Sequence, residues 1–276
     1  MNNIKKQAVI FGGTSGVGRH TAIQLANEGW KIIIVGRNDH GTVDYIKNNT
    51  HNNDIVFYSA DLSDKVNITS VVSKISQSIK QVDALFITIG TIQNKLLLTN
   101  SGMDTNIVIN YLSQVWIIMA MKSLLRHGSQ ILLVGGLPFL VKHLHIADID
   151  FKSSQNTDNY NANSVISNTL SARILLTMIL SEKLASEQIS VNIFHPGYIP
   201  DSHLSSGTAW YLKLMGSIFA HFSVKNSPIG AELVTNNKYL GLTGKFIDDR
   251  GRIVKLPASF SKEQADRLWK STQPLL

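Results

Sequence analysis

The chain has 276 residues, 43% of them apolar, and a formal net charge of +7. This length and composition suffice for one large core, and because no composition shift marks a linker we predict a single domain over residues 1–276. The absence of cysteine excludes disulfides and thiolate metal sites, and the scattered basic residues favour anionic small ligands over nucleic acid.

The first predicted strand leads into a glycine-rich turn and a helix. The apolar run from Ala8 to Phe11 is followed by GGTSGVG and by helical spacing over about residues 16 to 28. Gly12 permits backbone angles that a side chain disfavours, Gly16 lets the main chain approach an anion, and Gly18 lets the helix pack closely on the strand. The apolar run is one strand long, so it is not a signal peptide, and we expect a cytoplasmic protein.

The start of this helix is a predicted site for a diphosphate. The free N–H groups of the first turn, around Val17, face the ligand together with the positive end of the helix dipole. Thr14 and Ser15 add hydroxyl donors. A strand before the turn and a helix after it favour nucleotide binding, and the alternative is a structural turn that binds nothing.

The rest of the chain alternates predicted strands with predicted helices. Strands are predicted at residues 31–35, 55–58, 83–89, 130–134 and 190–194, and helices at 65–80, 104–125 and 164–187. This alternation predicts an α/β fold, a doubly wound parallel sheet with helices on both faces, which binds its ligand at the carboxyl ends of its strands. No apolar stretch reaches the roughly 20 residues of a membrane-spanning helix.

Arg37 follows the second predicted strand. In dinucleotide-binding sheets an acidic residue at this place contacts the ribose 2′-hydroxyl, whereas a cation accommodates a 2′-phosphate. Arg37 therefore favours NADP(H) over NAD(H) as the cofactor, and a solvated surface arginine is the alternative.

Further motifs stand at the ends of later predicted elements. They are Asp61-Leu62 after the third strand, Gly90 closing ITIG, Asn110 in VINYLSQ, and Pro196-Gly197 in NIFHPGYIP. With the spacing Gly12-x-x-x-Gly16-x-Gly18 they resemble the short-chain dehydrogenase/reductase (SDR) family. ADIDF (147–151), FHPG (194–197) and the segment 240–276 resemble its retinol dehydrogenase and protochlorophyllide reductase branch.

The resemblance implies a Rossmann-type fold and assigns cofactor contacts. Asp61 and Leu62 are expected to hold the adenine, and Gly90 to lie along the cofactor. Pro196, Gly197 and Ile199 are expected to approach the nicotinamide. The resemblance also implies a C-terminal lid or helical extension, and a homo-oligomer formed through the two long apolar helices.

The catalytic groups of the family are missing. Family members use a Ser that holds the substrate oxygen, a Tyr that gives the proton, and a Lys four residues after the Tyr. Gly135-Gly136 stand where the family has Ser-Ser, and counting back without gaps from FHPG puts Ile166 at the Tyr position and Leu170 at the Lys position.

A second register keeps a tyrosine. It aligns Tyr160 with the catalytic Tyr and puts Ser164 at the Lys position. It also inserts six residues into a helix, which rotates the later residues by roughly 240° and moves the apolar face out of the core. We therefore favour the ungapped register, and the lysine is lost in both.

Asn110 and Tyr160 remain the candidate catalytic residues. Asn110 is alternatively an amide that satisfies backbone groups at a helix kink, and Tyr160 an exposed loop residue. Arg173, seven residues after Ile166, lies near the same helix face and is either a cation close to the ribose or a solvated side chain. His195 is expected to be structural. The histidines at 143 and 145 lack metal-ligand spacing, and we predict no metal.

The segment 207–223, GTAWYLKLMGSIFAHFS, lies where the family has its substrate lid. Its aromatic and aliphatic side chains predict a lipophilic small-molecule substrate or peripheral contact with a membrane, and a core or dimer-packing helix is the alternative. Three hypotheses follow: an NADP(H)-dependent reductase of an activated double bond, a non-redox biosynthetic catalyst (cyclase, isomerase or lyase), and a cofactor-binding pseudoenzyme.

Overall fold

The computed structural model describes residues 5–144, 151, 160–199 and 224–276, without the side chain of Lys142. Seven strands pair in parallel in one sheet, in the order β3-β2-β1-β4-β5-β6-β7. They are β1 (Gln7–Phe11), β2 (Lys31–Gly36), β3 (Ile55–Ser59), β4 (Val82–Ile87), β5 (Leu125–Val134), β6 (Ser190–Phe194) and β7 (Phe246–Ile247). The strand order reverses between β1 and β4, so the predicted doubly wound α/β fold is confirmed.

Helices cover both faces of the sheet. One layer holds α1 (Gly16–Asn27), α2 (Thr42–Thr50) and α7 (Ile229–Thr235). The other holds α3 (Lys65–Ser78), α4 (Thr105–Ile107), α5 (Ser113–Met121), α6 (Ala162–Lys183) and α8 (Lys262–Thr272). Side chains of β1 alternate between the two cores, with Val9 and Phe11 in one and Ala8 and Ile10 in the other. Because the side chains on both faces are buried, the strands read as unbroken apolar runs.

Several elements differ from the sequence prediction: β7 and α7 were not predicted, a π-helical turn at Val108–Leu112 interrupts the predicted helix 104–125, and β5 and α2 also differ. β5 begins at Leu125 rather than Gln130, and its pairing with β4 shifts register between Val82 and Ala84, where the Ser129 hydroxyl donates 2.6 Å to the Val82 carbonyl. The residues at this bulge are polar, so the sequence shows no apolar run that would predict the earlier start of β5. The prediction omitted α2 because its sequence, TVDYIKNNT, is largely polar and only Thr42 and Ile46 are buried.

Among the described residues, two helical stretches are long and apolar enough to cross a membrane. Neither was predicted from the sequence, because polar residues interrupt both. They are Thr105–Leu124, 72% buried, and Ala162–Lys183, 67% buried. Both pack against the sheet as core helices, and length and composition alone are weak evidence for a membrane span.

The C-terminal segment packs on the helices that the sequence predicts to associate between subunits. The Tyr111 hydroxyl lies 2.6 Å from Thr272 Oγ1, and Trp116 Nε1 donates to the Leu275 carbonyl at 2.8 Å. The C-terminal helical extension predicted from the sequence is α8, and it occupies part of this surface. The homo-oligomer stays a prediction.

Candidate functional site

The glycine turn between β1 and α1 is built for close backbone contact. Gly12 has φ +93°, and the Thr88 hydroxyl donates to the carbonyls of Phe11 and Gly12 at 3.0 and 3.1 Å. A Cβ on Gly18 would lie 2.4 Å from the Gly12 carbonyl oxygen. The turn therefore tolerates no side chain at Gly18, as the sequence analysis expects.

The N-terminus of α1 can accept an anion. Ser15 is the N-cap residue, its side chain makes no capping hydrogen bond, and the first helical turn holds no acidic residue. Gly16, which opens the helix, has φ +50°, and Val17 follows it partly buried. The Thr14 carbonyl accepts a hydrogen bond from Thr42 at 3.1 Å. The free N–H groups and the Ser15 hydroxyl thus fit a diphosphate.

Two arginines stand beside this turn. Arg37 directly follows β2 and is exposed, and its main-chain carbonyl accepts from the Ser59 hydroxyl at 2.8 Å. Arg19, which follows Gly18, lies over the Tyr45 ring at 5.7 Å. Arg19 was not predicted as a site residue, although it directly follows the glycine turn in the sequence.

Asp61, Leu62 and Gly90 lie at the carboxyl ends of their strands. Asp61 is exposed, and its Oδ1 accepts from the main chain and side chain of Ser63 at 3.0 and 2.8 Å. Leu62 is buried under it. Gly90 follows β4 by three residues and is partly exposed.

Asn110 lies in a π-helical turn (Val108–Leu112) and is buried. Its Oδ1 accepts from the Thr91 N–H at 2.9 Å, and its Nδ2 donates to the Thr91 carbonyl at 2.8 Å. Both ends of the amide thus hold the backbone that follows Gly90. These contacts favour the alternative given above, an amide that satisfies the backbone at a helix kink.

The segment after β6 is held in one conformation. Gly197 has φ +73°, and a Cβ there would lie 2.3 Å from the Val224 carbonyl oxygen. Tyr198 donates its N–H to the same carbonyl at 3.0 Å, and Pro196 and Ile199 are buried. The backbone after Pro196 therefore has a fixed conformation, at the sheet edge where the family resemblance places the nicotinamide.

Two of the positions that the ungapped register assigns to the family's catalytic groups, 136 and 170, meet at this edge. A Cβ on Gly136 would lie 3.3 Å from Cδ1 of Leu170. Ile166 and Leu170 are partly exposed on α6, one turn apart. In the ungapped register Gly136 and Leu170 are at the Ser and Lys positions, and Ile166 is at the Tyr position. Two of the three positions carry alkyl groups, and the third has no side chain.

Tyr160 lies outside α6, just before its N-cap Asn161, and is turned toward the start of α4. Its hydroxyl accepts from Asn106 Nδ2 at 2.8 Å, and the buried Asp104 carboxylate lies beside it. Burial raises the pKa of Tyr160 to about 12, and burial also raises the pKa of Asp104. Tyr160 is therefore a neutral phenol in a polar cluster at the mouth of the sheet.

Arg173 is buried, so a solvated surface arginine is ruled out. Its Nη1 donates to the Val134 carbonyl at 2.7 Å, at the end of β5. Burial lowers the pKa of its guanidinium to about 10.

His195 is also buried, and neither ring nitrogen forms a hydrogen bond in the part of the chain that the structure describes. Burial lowers the pKa of His195.

Some predicted features lie outside the described residues. They are the lid segment 207–223, the histidine at 145 and most of ADIDF. Within the described ranges no three acidic or histidine side chains form a group that could hold a metal ion.

Residues 6–210 match the family model described as short chain dehydrogenase. The chain belongs to the short-chain dehydrogenase family. Among curated SDR relatives, it is 24% identical to retinol dehydrogenase 13 of Homo sapiens, over 98% of this chain and 84% of the relative. It is 22% identical to polyprenol dehydrogenase of Homo sapiens, over 96% and 83%. The likeness to the retinol dehydrogenase branch is thus confirmed.

Solved SDR structures share the fold. A short chain dehydrogenase from Burkholderia cenocepacia in complex with NADP is 20% identical with a TM-score of 0.68, covering 90% of this chain and 97% of that one. The Pseudomonas aeruginosa RhlG/NADP active-site complex is 19% identical with a TM-score of 0.64, covering 88% and 94%. At these identities the likeness establishes the doubly wound sheet alone.

Proposed function

We propose that this SDR chain is an NADP(H)-dependent reductase that acts on the activated double bond of a lipophilic substrate without a protein proton donor of the Ser-Tyr-Lys kind. The observation that carries the proposal is an intact glycine turn beside a Gly136–Leu170 contact that contains no polar group. The family is one of oxidoreductases, and the two solved relatives named above hold NADP.

The residues at the turn fit the dinucleotide. Gly12 and Gly18 leave open the space that a Cβ would fill, and Ser15 presents a hydroxyl at the N-terminus of α1. Arg37 is exposed at the end of β2, where a cation meets the 2′-phosphate. When bound, NADPH would supply a hydride to an electron-poor carbon.

The apolar groups at the catalytic positions restrict the chemistry. A carbonyl that accepts hydride becomes an alkoxide, which needs a nearby acid, and positioned acids contribute about 10²- to 10⁴-fold to such rates. A double bond conjugated to a carbonyl accepts hydride at its β-carbon, and the charge spreads onto the oxygen. The α-carbon can then take a proton from water, so no phenol is required.

Exposed apolar side chains at this edge support a lipophilic substrate. Leu97 and Leu98 follow β4, Phe139 and Leu140 follow β5, and Tyr198 follows β6, and all are exposed. Loops at the carboxyl ends of a doubly wound sheet surround its ligand, so these side chains favour an apolar substrate. Relatives named for retinol and polyprenol agree with this class.

The test supplies the purified chain and NADPH with a long-chain conjugated enone and with the saturated ketone of equal length. We expect NADPH oxidation only with the enone, and a product that keeps its carbonyl and lacks the double bond by mass spectrometry. Reduction of the saturated ketone at a similar rate would contradict the proposal. Product without NADPH consumption would indicate a non-redox catalyst, and binding without any turnover a pseudoenzyme.

Tyr160→Phe is the matched control variant. The phenol hydroxyl is held by Asn106, so we expect little change in the enone rate. A loss of about 10²-fold would assign the proton donor to Tyr160 instead.

A further inference from the structure

Arg173 is a buried cation that no carboxylate neutralises within the described residues. Its side chain is only 7% exposed, and Nη1 donates to the Val134 carbonyl at 2.7 Å. Nε makes no hydrogen bond, and burial is the cause that lowers the pKa of the guanidinium, to about 10. At neutral pH the group is therefore charged, and its hydrogen bond within the described residues is to a neutral acceptor.

Such a charge is costly to keep. A buried ion without a partner destabilises a fold, and an apolar side chain of similar volume is often at least as stable there. Leu170 and Ile166, on the same side of α6, are apolar, so a methionine at 173 would match its neighbours. A role in binding accounts for the charge better than a role in folding does.

The charge lies at the ligand-binding edge of the sheet. Val134 is the last residue of β5 and is paired with Phe194 of the adjacent strand β6. Pro196 and Gly197, which the SDR resemblance assigns to the nicotinamide, follow Phe194 by two and three residues. Because neighbouring strands are about 4.8 Å apart, the guanidinium and this segment are separated by a distance on the order of 10 Å.

We propose that Arg173 makes the cofactor site select NADPH over NADP⁺. This inference rests on the proposed function, in which the site takes a phosphorylated nicotinamide cofactor. The nicotinamide ring is cationic when oxidised and neutral when reduced, so a fixed cation nearby repels the oxidised form alone. For a positive charge held at this segment, about 10 Å from the guanidinium, and an effective dielectric constant of about 20, the repulsion would change the ratio of the two dissociation constants roughly 10- to 30-fold.

This selection suits a reductase. NADP⁺, the oxidised product, is released and NADPH is retained. The Arg173 guanidinium needs no direct contact with either form. Arg173 is thus a specificity-determining residue rather than a proton donor.

The test is isothermal titration calorimetry of NADPH and of NADP⁺ with wild type, Arg173→Met and Arg173→Lys. We expect Arg173→Met to bind NADP⁺ more tightly, lowering the ratio of the NADP⁺ to the NADPH dissociation constant about tenfold. Arg173→Lys keeps the charge and should keep most of the ratio. If Arg173→Met does not fold, Arg173→Gln replaces it, since its amide can still donate to Val134.

Arg37→Met is the matched control. It removes a cation near the phosphate that both cofactor forms carry, so it should weaken both and leave the ratio unchanged. If wild type binds neither cofactor form, the proposed function fails. If both forms bind and Arg173→Met leaves the ratio unchanged, the inference about Arg173 is overturned while the proposed function stands. An acidic side chain elsewhere in the chain that neutralised Arg173 would give this result.

Discussion

Leu170 packs toward Gly136, with its Cδ1 3.3 Å from the place of a Cβ on that glycine. The ungapped register assigns Leu170 to the family's lysine position and Gly136 to its serine position, so it predicts a single apolar contact where SDR enzymes hold an ammonium and a hydroxyl. Together with Ile166 at the tyrosine position, this contact explains why we assign the substrate proton to water.

Restoring the polar groups should restore carbonyl reduction. The triple variant Gly136→Ser, Ile166→Tyr, Leu170→Lys returns the proton donor, its cation and the oxygen-binding hydroxyl to adjacent positions. An unbranched lysine also relieves the contact that a Cβ on residue 136 would make with Leu170. We expect NADPH-dependent reduction of a lipophilic aldehyde to rise about 10²-fold or more over wild type.

The matched control carries Ile166→Phe in place of Ile166→Tyr, and it should stay at the wild-type rate because only the phenol hydroxyl differs. Equal rates in the two triple variants would show that residue 166 does not point at the substrate, and would return attention to Tyr160.

Gly18→Ala should weaken cofactor binding and stability together. The new Cβ would meet the Gly12 carbonyl oxygen at 2.4 Å, a backbone atom that cannot rotate away. We expect a dissociation constant for NADPH raised about tenfold or more and a lowered thermal midpoint, measured by calorimetry and circular dichroism. Gly29→Ala is the control: it lies in open space with φ +78°, so it should cost about 1 kcal/mol of stability and leave the dissociation constant unchanged.

Leu268→Ala should destabilise the chain by about 3 kcal/mol in denaturant unfolding. Leu268 is 1% exposed and belongs to the core that α8 forms with α5 and α6. Val66→Ala, at a site 73% exposed, should change the unfolding free energy by less than about 0.5 kcal/mol. Similar values for the two variants would mean that α8 is not docked on the core helices.

His195 should make stability depend on pH. Burial holds the pKa of His195 in the folded chain below its ordinary value of 6.5, so below that pH the unfolded chain binds more protons. The contribution of His195 to the unfolding free energy is then fully present above about pH 6.5. It is lost as the pH drops toward the folded pKa, by at most about 1.4 kcal/mol per pH unit.

The measurement is denaturant unfolding of wild type and His195→Asn at a series of pH values from 7.5 downward, where the difference between the two proteins cancels the titration of other groups such as Asp104. A difference that does not change with pH would show that the imidazole is solvated.

The fold was predictable because the central strands β1, β2 and β4 are buried on both faces, which leaves apolar runs in the sequence, and because the glycine turn restricts the residues that can stand beside it. The need for glycine at positions 18 and 197 could be predicted from the sequence, since a Cβ at either position would collide with a backbone carbonyl oxygen. The polar helix α2 and the bulged start of β5 left no such pattern.

The site was only partly predictable. Counting residues back from β6 along α6 predicts the loss of the catalytic groups, in the register that we favour. The burial of Arg173 and the orientation of Tyr160 toward Asn106 did not follow, because each depends on which way one side chain turns, in the middle of α6 for Arg173 and just before α6 for Tyr160. Helical spacing places a residue on one face of a helix but does not determine whether that face is buried or exposed to solvent.

The most direct test of the account is a calorimetric titration of the wild-type chain with NADPH and with NADH, repeated with Arg37→Met. We predict one NADPH site per chain, with NADPH binding about tenfold or more tighter than NADH, and loss of that difference in Arg37→Met. Absence of NADPH binding, or equal affinity for the two cofactors in wild type, would contradict the claim that this chain kept its NADP(H) site while its catalytic positions became apolar.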